Sequence, residues 1–181
     1  DVERSRGLGD VYKRQTLLFA NSGMLAINPW IYKLHSDPAT AFAPVSLFSD
    51  LPFVLVVPTG LPAKNVAELV TLARAEPGKH KFASSGTGGA PHLSAEIFQQ
   101  ATGVDLMHVP YKGGGPAMTD LMAGRVDMLF ASVLEAIPYV TGGKLRALAV
   151  TGAARSPAMP DVPTIDAVSY THLTLPTNRE V

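Results

Sequence analysis

Lys81-Phe82-Ala83-Ser84, then Ser85-Gly86-Thr87-Gly88-Gly89, then Ala90-Pro91-His92-Leu93 is the stretch that decides the fold. A short β-type run stops at a glycine-rich joint. Pro91 stands where the first turn of a helix tolerates proline, and Leu93, Ile97 and Ala101 recur at helical spacing until Gly103 closes the element. The reading is a strand that turns directly into a helix, the half-unit from which parallel α/β sheets are built.

The unit recurs on both sides. Upstream, Phe53–Val57 is a β-branched and apolar run stopped by Pro58. Asn65, with Glu68 three residues later, forms a capping box ahead of Val66, Leu69, Val70 and Ala73, which keep helical spacing as far as Pro77-Gly78. Downstream, Val104–Val109 predicts a strand, and Tyr111-Lys112-Gly113-Gly114-Gly115 with Pro116 leads into a helix ending at Gly124. Val126–Phe130 predicts another strand, Leu134–Val140 a helix closing at Gly142-Gly143, and Leu145–Thr151 a last strand. Near the start, Thr16–Ala20 reads as a buried strand, followed by Asn21-Ser22-Gly23 and a short helix near Leu25–Tyr32. Pro157, Pro160 and Pro163 mark an extended segment that leaves the sheet. Strand–helix alternation with short joints predicts an α/β fold, a mostly parallel sheet flanked by helices.

Composition narrows the function. The chain of 181 residues allows one ordinary domain or a little more. Lys and Arg total 15 against 15 Asp and Glu, so the basic excess that recruits nucleic acid or an anionic membrane is missing. Without cysteine there is no disulfide, thiolate metal site or thiol nucleophile. Nowhere do eighteen apolar residues run together as a bilayer-spanning helix requires.

Open parallel sheets bind ligands outside the carboxyl ends of their strands. Here that edge would comprise Asn21–Asn28, Ser84–Pro91, Tyr111–Pro116 and Ala131–Leu134. In Ser84–Pro91, glycines allow close backbone approach, hydroxyls donate hydrogen bonds, and a helix start aims unsatisfied N–H groups at the same point. A carboxylate or phosphate would be stabilised there without Arg or Lys, although the same glycines would equally serve a plain tight turn. Nucleotide chemistry fits poorly. Pro91 replaces the third glycine of a dinucleotide fingerprint, and no Gly-Lys-Ser/Thr follows any glycine run. Lys112 precedes its glycines and reads as a surface lysine.

The histidines, His35, His80, His92, His108 and His172, share no i, i+3 or i, i+4 spacing, so no metal site is expected, and no cofactor either. His92, in the first helical turn, could reach a ligand or act as a cap, whereas His108 inside a strand pattern favours a satisfied core role. Asp120, Asp127 and Glu135 show no spacing that makes them converge, and Met118, Met122 and Met128 fit a core. Ser22, Ser84, Ser85 and Ser132 fall at strand ends without a Gly-x-Ser-x-Gly elbow or an evident His and acid partner. Binding is favoured over catalysis. The competing classes are a serine-dependent acyl hydrolase, using Ser84 or Ser85 with His92 or His108, and the effector-binding domain of a transcription regulator.

Several motifs in order also resemble one family. Phe82–Gly89 with His92-Leu93, His108-Val109-Pro110-Tyr111-Lys112-Gly113, Gly143–Thr151, Arg155-Ser156-Pro157 and Pro160-Asp161-Val162-Pro163-Thr164 resemble the substrate-binding proteins of tripartite tricarboxylate transporters, the Bug family. Asn21-Ser22-Gly23 and Ala43-Pro44-Val45-Ser46 fit the same order, so the resemblance covers nearly all of residues 16–167. It implies a type II periplasmic-binding-protein-like lobe in a periplasmic, monomeric, non-enzymatic receptor. Such a receptor captures a small carboxylate and passes it to integral membrane components of the transporter. The carboxylate would be held by backbone N–H groups and hydroxyls: Ser84, Ser85, Gly86, Thr87 and Gly88 in the second lobe, Asn21, Ser22 and Gly23 in the first, with His92 and Ser132 lining the cleft. Many relatives carry Asp-Asn where this chain has Ala131-Ser132-Val133, which disfavours recognition of a ligand amine by an acidic side chain there.

The resemblance also divides the chain. Residues 1–15 and 168–181 read as non-native tails, 16–50 as a remnant of the first lobe and its crossing segment, and 51–167 as the second α/β lobe, with the partner lobe largely missing. The isolated chain is therefore expected to bind its solute poorly or not at all; micromolar affinity for succinate, citrate, glutamate or nicotinate by calorimetry would overturn that expectation.

Overall fold

The computed structural model describes residues 16–20, 23–47 and 52–169. The chain divides into two compact units, Asp1–Ala41 and Phe42–Val181. In the first, a short π-helix, Gly23–Ile27, runs into α1 (Asn28–Ile31), and α2 (Pro38–Ala41) follows. The helix expected near Leu25–Tyr32 is thus present, with a π-type opening turn. Thr16–Ala20, expected as a buried strand, is not one, and Leu17 and Phe19 are largely exposed. An apolar run becomes a strand only when a neighbouring strand completes its ladder.

The second unit is a five-stranded sheet with helices on both faces. Its elements are β1 (Phe53–Pro58), α3 (Val66–Ala75), β2 (Lys81–Ser84), α4 (Ala90–Thr102), β3 (Met107–Pro110), α5 (Gly114–Met122), β4 (Met128–Ser132), α6 (Val133–Thr141), β5 (Leu145–Val150) and α7 (Ile165–Ser169). The spatial order is β3-β2-β4-β1-β5. Strand β2 pairs in parallel with β3 and β4, while β1 is antiparallel to β4 and β5. Four strands share a direction and one opposes them, so the mostly parallel sheet is a mixed one. The opposed strand is the first of the unit and lies between β4 and β5.

Period-two alternation sends side chains to two cores. Leu55, Val57, Phe82, Met128 and Phe130 pack under α3, α4 and α7 with Leu69, Ala73, Ala95 and Phe98. Val54, Val56, Ala83, Leu129 and Ala131 face α5 and α6 with Ala117, Met118, Leu121 and Ala136. Burial on both faces explains why the strands read as continuous apolar runs.

Two strand starts move relative to the sequence reading. Val104 and Leu106 are buried, but the Leu106 N–H donates to Gln99 Oε1 at 2.7 Å, and ladder pairing begins at Met107. Val126 is buried ahead of a strand that starts at Met128, because the Asp127 carboxylate accepts from the Lys81 N–H at 2.7 Å and ties the approach to β2. Burial and ladder membership are separate properties, and periodicity reports only the first.

Candidate functional site

Strand order places the site. From β2 the chain goes outward to β3, then crosses back over β2 to β4, so the topological switch lies between β2 and β4. The helix after β2 covers one face of the sheet and the helix after β4 covers the other. Their first turns therefore diverge from a crevice flanked by the glycine loop at 85–89 and by Ser132.

The loop is built from its own strand end. Ser84 is fully buried at the tip of β2. Its Oγ lies 2.6 Å from His108 Nε2 on neighbouring β3, 3.3 Å from the Gly86 N–H and 3.2 Å from the Gly86 carbonyl. One hydroxyl carries one proton, so all three contacts are made together when His108 Nε2–H and Gly86 N–H both donate to Oγ and the Ser84 O–H donates to the Gly86 carbonyl. Two further bonds tie this loop to the next: Tyr111 N–H to the Ser84 carbonyl at 2.9 Å and Gly113 N–H to the Ser85 carbonyl at 3.2 Å. Gly86 and Gly88 hold φ of 141° and 80°, a region that a side chain would strain.

Beneath the loop lie three rings. Phe82 and His108 stack with centroids 4.7 Å apart, and His108 and His92 stack at 4.1 Å. His92 Nδ1 accepts from the Gly88 N–H at 3.3 Å while its Nε2 faces Glu96 Oε1 at 3.4 Å. Loss of hydration around His108, followed by the neighbouring His92, pushes its imidazole below the ordinary histidine range. Hydrogen bonds tie both rings into the loop, His108 through Ser84 and His92 through the Gly88 N–H.

The loop's remaining donors are not engaged within it. Gly89 is the N-cap of α4 and supplies no side-chain cap. Ser85 and Thr87 have no side-chain or backbone N–H partner among the described residues, and the Ala90 N–H, in the first turn, has no intrahelical acceptor. An anion at this point would meet hydroxyls and N–H groups without an opposing carboxylate from the loop itself.

The expected site residues therefore separate. Ser84, Ser85, Gly86, Thr87, Gly88 and His92 come together in one loop. Ser132 lies at the tip of β4, where its Oγ caps α6 by accepting from the Glu135 N–H at 3.3 Å. Gly23 is buried at the first position of the π-helix in the other unit, and Asn21 and Ser22 lie outside the described residues. His108, which the sequence reading gave a core role, and Phe82, to which it gave no role in the site, are the partners it missed. Only the β2–β3 register, which sets Phe82 opposite His108, brings them under the loop.

The following loop has its own anchor. Tyr111 Oη donates to Asp120 Oδ2 at 2.8 Å, and Arg125 Nη1 donates to Asp120 Oδ1 at 2.8 Å. The tyrosine hydrogen bond and then the guanidinium hold the Asp120 carboxyl below its ordinary range. Lys112 is exposed, as its position before the glycines suggests.

A family model described as the tripartite tricarboxylate transporter family receptor matches residues 10–177. Protein BugT of Bordetella pertussis is 35% identical over 161 residues, which cover 86% of this chain and 48% of BugT. Among solved structures, a protein of R. palustris with adipate is 38% identical with a TM-score of 0.77, over 81% of this chain and 49% of that one. MatC of Rhodopseudomonas palustris with bound malate is 28% identical with a TM-score of 0.71, over 81% and 48%. The chain spans about half the length of the relatives it matches.

Proposed function

The chain belongs to the tripartite tricarboxylate transporter receptor family, and from that premise we propose that it serves a periplasmic solute receptor that captures a small carboxylate. The ligand class is a di- or tricarboxylate or a similar organic acid, and the captured solute passes to integral membrane components of the transporter. The receptor acts as a monomer and performs no chemistry on its ligand. The observation that carries this reading is the glycine loop at the β2–β4 switch, which leads into the uncapped start of α4 with the hydroxyls of Ser85 and Thr87 not engaged within the loop. Similarity to receptors solved with adipate and malate supports a dicarboxylate in particular.

The hydrolase reading gains one contact, Ser84 Oγ to His108 Nε2, but a nucleophile must reach its substrate, and Ser84 is fully buried. Its oxygen also accepts from the Gly86 N–H, which disfavours attack.

The test is an amide-resolved NMR titration of the chain with adipate and with malate, using a neutral diol as control. Saturable shifts confined to residues 84–92, with millimolar or tighter affinity, are expected. Absence of any loop response at ~10 mM of either acid would overturn the carboxylate reading. Labelling of Ser84 or Ser85 by a fluorophosphonate would replace it with the hydrolase.

A further inference from the structure

The loop contains more polar groups than it can offer to a ligand, because several are already used inside it. Ser84 Oγ is engaged by His108 and by both backbone groups of Gly86, and the Gly88 N–H is engaged by His92 Nδ1. Gly89 N–H turns back to the Gly86 carbonyl at 3.4 Å, and Gly113 N–H is held by the Ser85 carbonyl. Behind these bonds the rings of Phe82, His108 and His92 form one stack, which joins strand β2, strand β3 and the first turn of α4.

We propose that His108 and His92 are positioning residues, which through Ser84 and Gly88 fix the loop so that the donors of Ser85, Thr87 and Ala90 take the ligand carboxylate. This deepens the receptor reading and rests on it. A backbone N–H can donate to His92 only if Nδ1 is unprotonated, so neutral His92 carries its proton on Nε2, toward Glu96. His108 carries its proton on Nε2, toward Ser84. The two rings thus present their protons to different partners and neither needs to be charged, as suits rings stacked 4.1 Å apart. Ser84, Gly86 and Gly88 then belong to the frame of the site, and Ser85, Thr87 and Ala90 to its surface.

The test combines amide exchange with histidine nitrogen shifts in the chain as it stands. The expected results are a pyridine-type Nδ1 and a protonated Nε2 for His92, with slow exchange at the Gly86 and Gly88 amides and fast exchange at Ser85, Thr87 and Ala90. His92→Leu should free the Gly88 amide and weaken adipate binding by about fivefold or more, whereas His92→Asn, whose carbonyl can replace the Nδ1 acceptor, should keep both within ~2-fold. Ser85→Ala should weaken adipate by about tenfold with the Gly88 amide still protected. A Gly88 amide that exchanges as freely in the parent chain as in His92→Leu would overturn the proposal. Loss of adipate binding that is equal in His92→Leu and His92→Asn would also overturn it. Should the exchange pattern and tautomers hold while no carboxylate shifts any loop amide, the frame stands and the receptor reading falls.

Discussion

At the start of helix α3, Glu68 N–H donates to Asn65 Oδ1 at 2.9 Å, and the Glu68 carboxylate returns to accept from the Lys64 N–H at 2.7 Å and from Asn65 Nδ2 at 2.8 Å. At the start of α4, one strand later, Gly89 has no side chain to offer. Both helices follow a strand of the same sheet and both pack on the same face of it. The first is closed by its own residues, and the second is left open to whatever occupies the crevice. A side-chain cap contributes about 1 kcal/mol, and of the two helix starts that flank the topological switch α6 keeps its Ser132 cap while α4 omits one, which marks the α4 start as a place where local stability yields to binding.

The open end stands on a floor, and removing that floor is the most severe way to break the comparison. Phe82 is fully buried between the core and His108. Phe82→Ala should cost about 3–5 kcal/mol by urea unfolding and should release the histidine stack as well. A loss below ~1 kcal/mol would mean that the floor is not where the structure puts it.

Next in size is Ser84→Ala. The substitution keeps the strand but leaves His108 Nε2–H and both Gly86 groups without their shared partner, at about 1–3 kcal/mol. Because those groups lie under the loop, the stability loss should be accompanied by faster exchange of the Gly86 amide. Stability lost with the Gly86 amide unchanged would assign Ser84 to packing alone.

The closed end supplies the counterpart. Asn65→Ala should cost about 1 kcal/mol in thermal or chemical unfolding and should leave adipate-induced shifts in the 84–92 loop as they are. A loop that responds to the Asn65 substitution would show that the two helix starts are coupled through the face they share, and the contrast between them would lose its meaning.

These two ends also differ in how far the sequence disclosed them. The capping box at Asn65-Val66-Ala67-Glu68 is a local pattern, and local patterns survive folding, so it and the helix it starts were readable. The strand–glycine–helix signature at 81–93 was readable for the same reason. What could not be read was how the loop shares out its donors. His108 is separated from Ser84 by 24 residues, and only parallel pairing of β2 with β3 brings Nε2 to 2.6 Å from the hydroxyl. The direction of β1 was hidden too, because an apolar run reports burial and carries no sign of which way its neighbours run. Thr16–Ala20 shows the same gap between an apolar run and a completed ladder.

The comparison can finally be sharpened by giving α4 the cap it lacks. Gly89 has φ −77° and ψ 163°, the extended conformation that an N-cap residue adopts. A Cβ added there would meet the Gly86 carbonyl at 3.4 Å, Pro91 Cδ at 3.7 Å and Ser85 Oγ at 3.8 Å, all within ordinary contact. Gly89→Ser can therefore be accommodated, and its hydroxyl can accept from the His92 N–H at the third helical position. Replacing a glycine cap by serine changes stability by only a few tenths of a kcal/mol, here upward. The larger consequence falls on binding: a hydroxyl oxygen at the helix start occupies a donor and sets a lone pair facing the incoming carboxylate. A slightly raised melting temperature together with weakened adipate shifts would mean that the end is open because the ligand closes it. Raised stability with unchanged adipate binding would mean that the carboxylate does not use this helix start, and that Ser85 and Thr87 hold it alone.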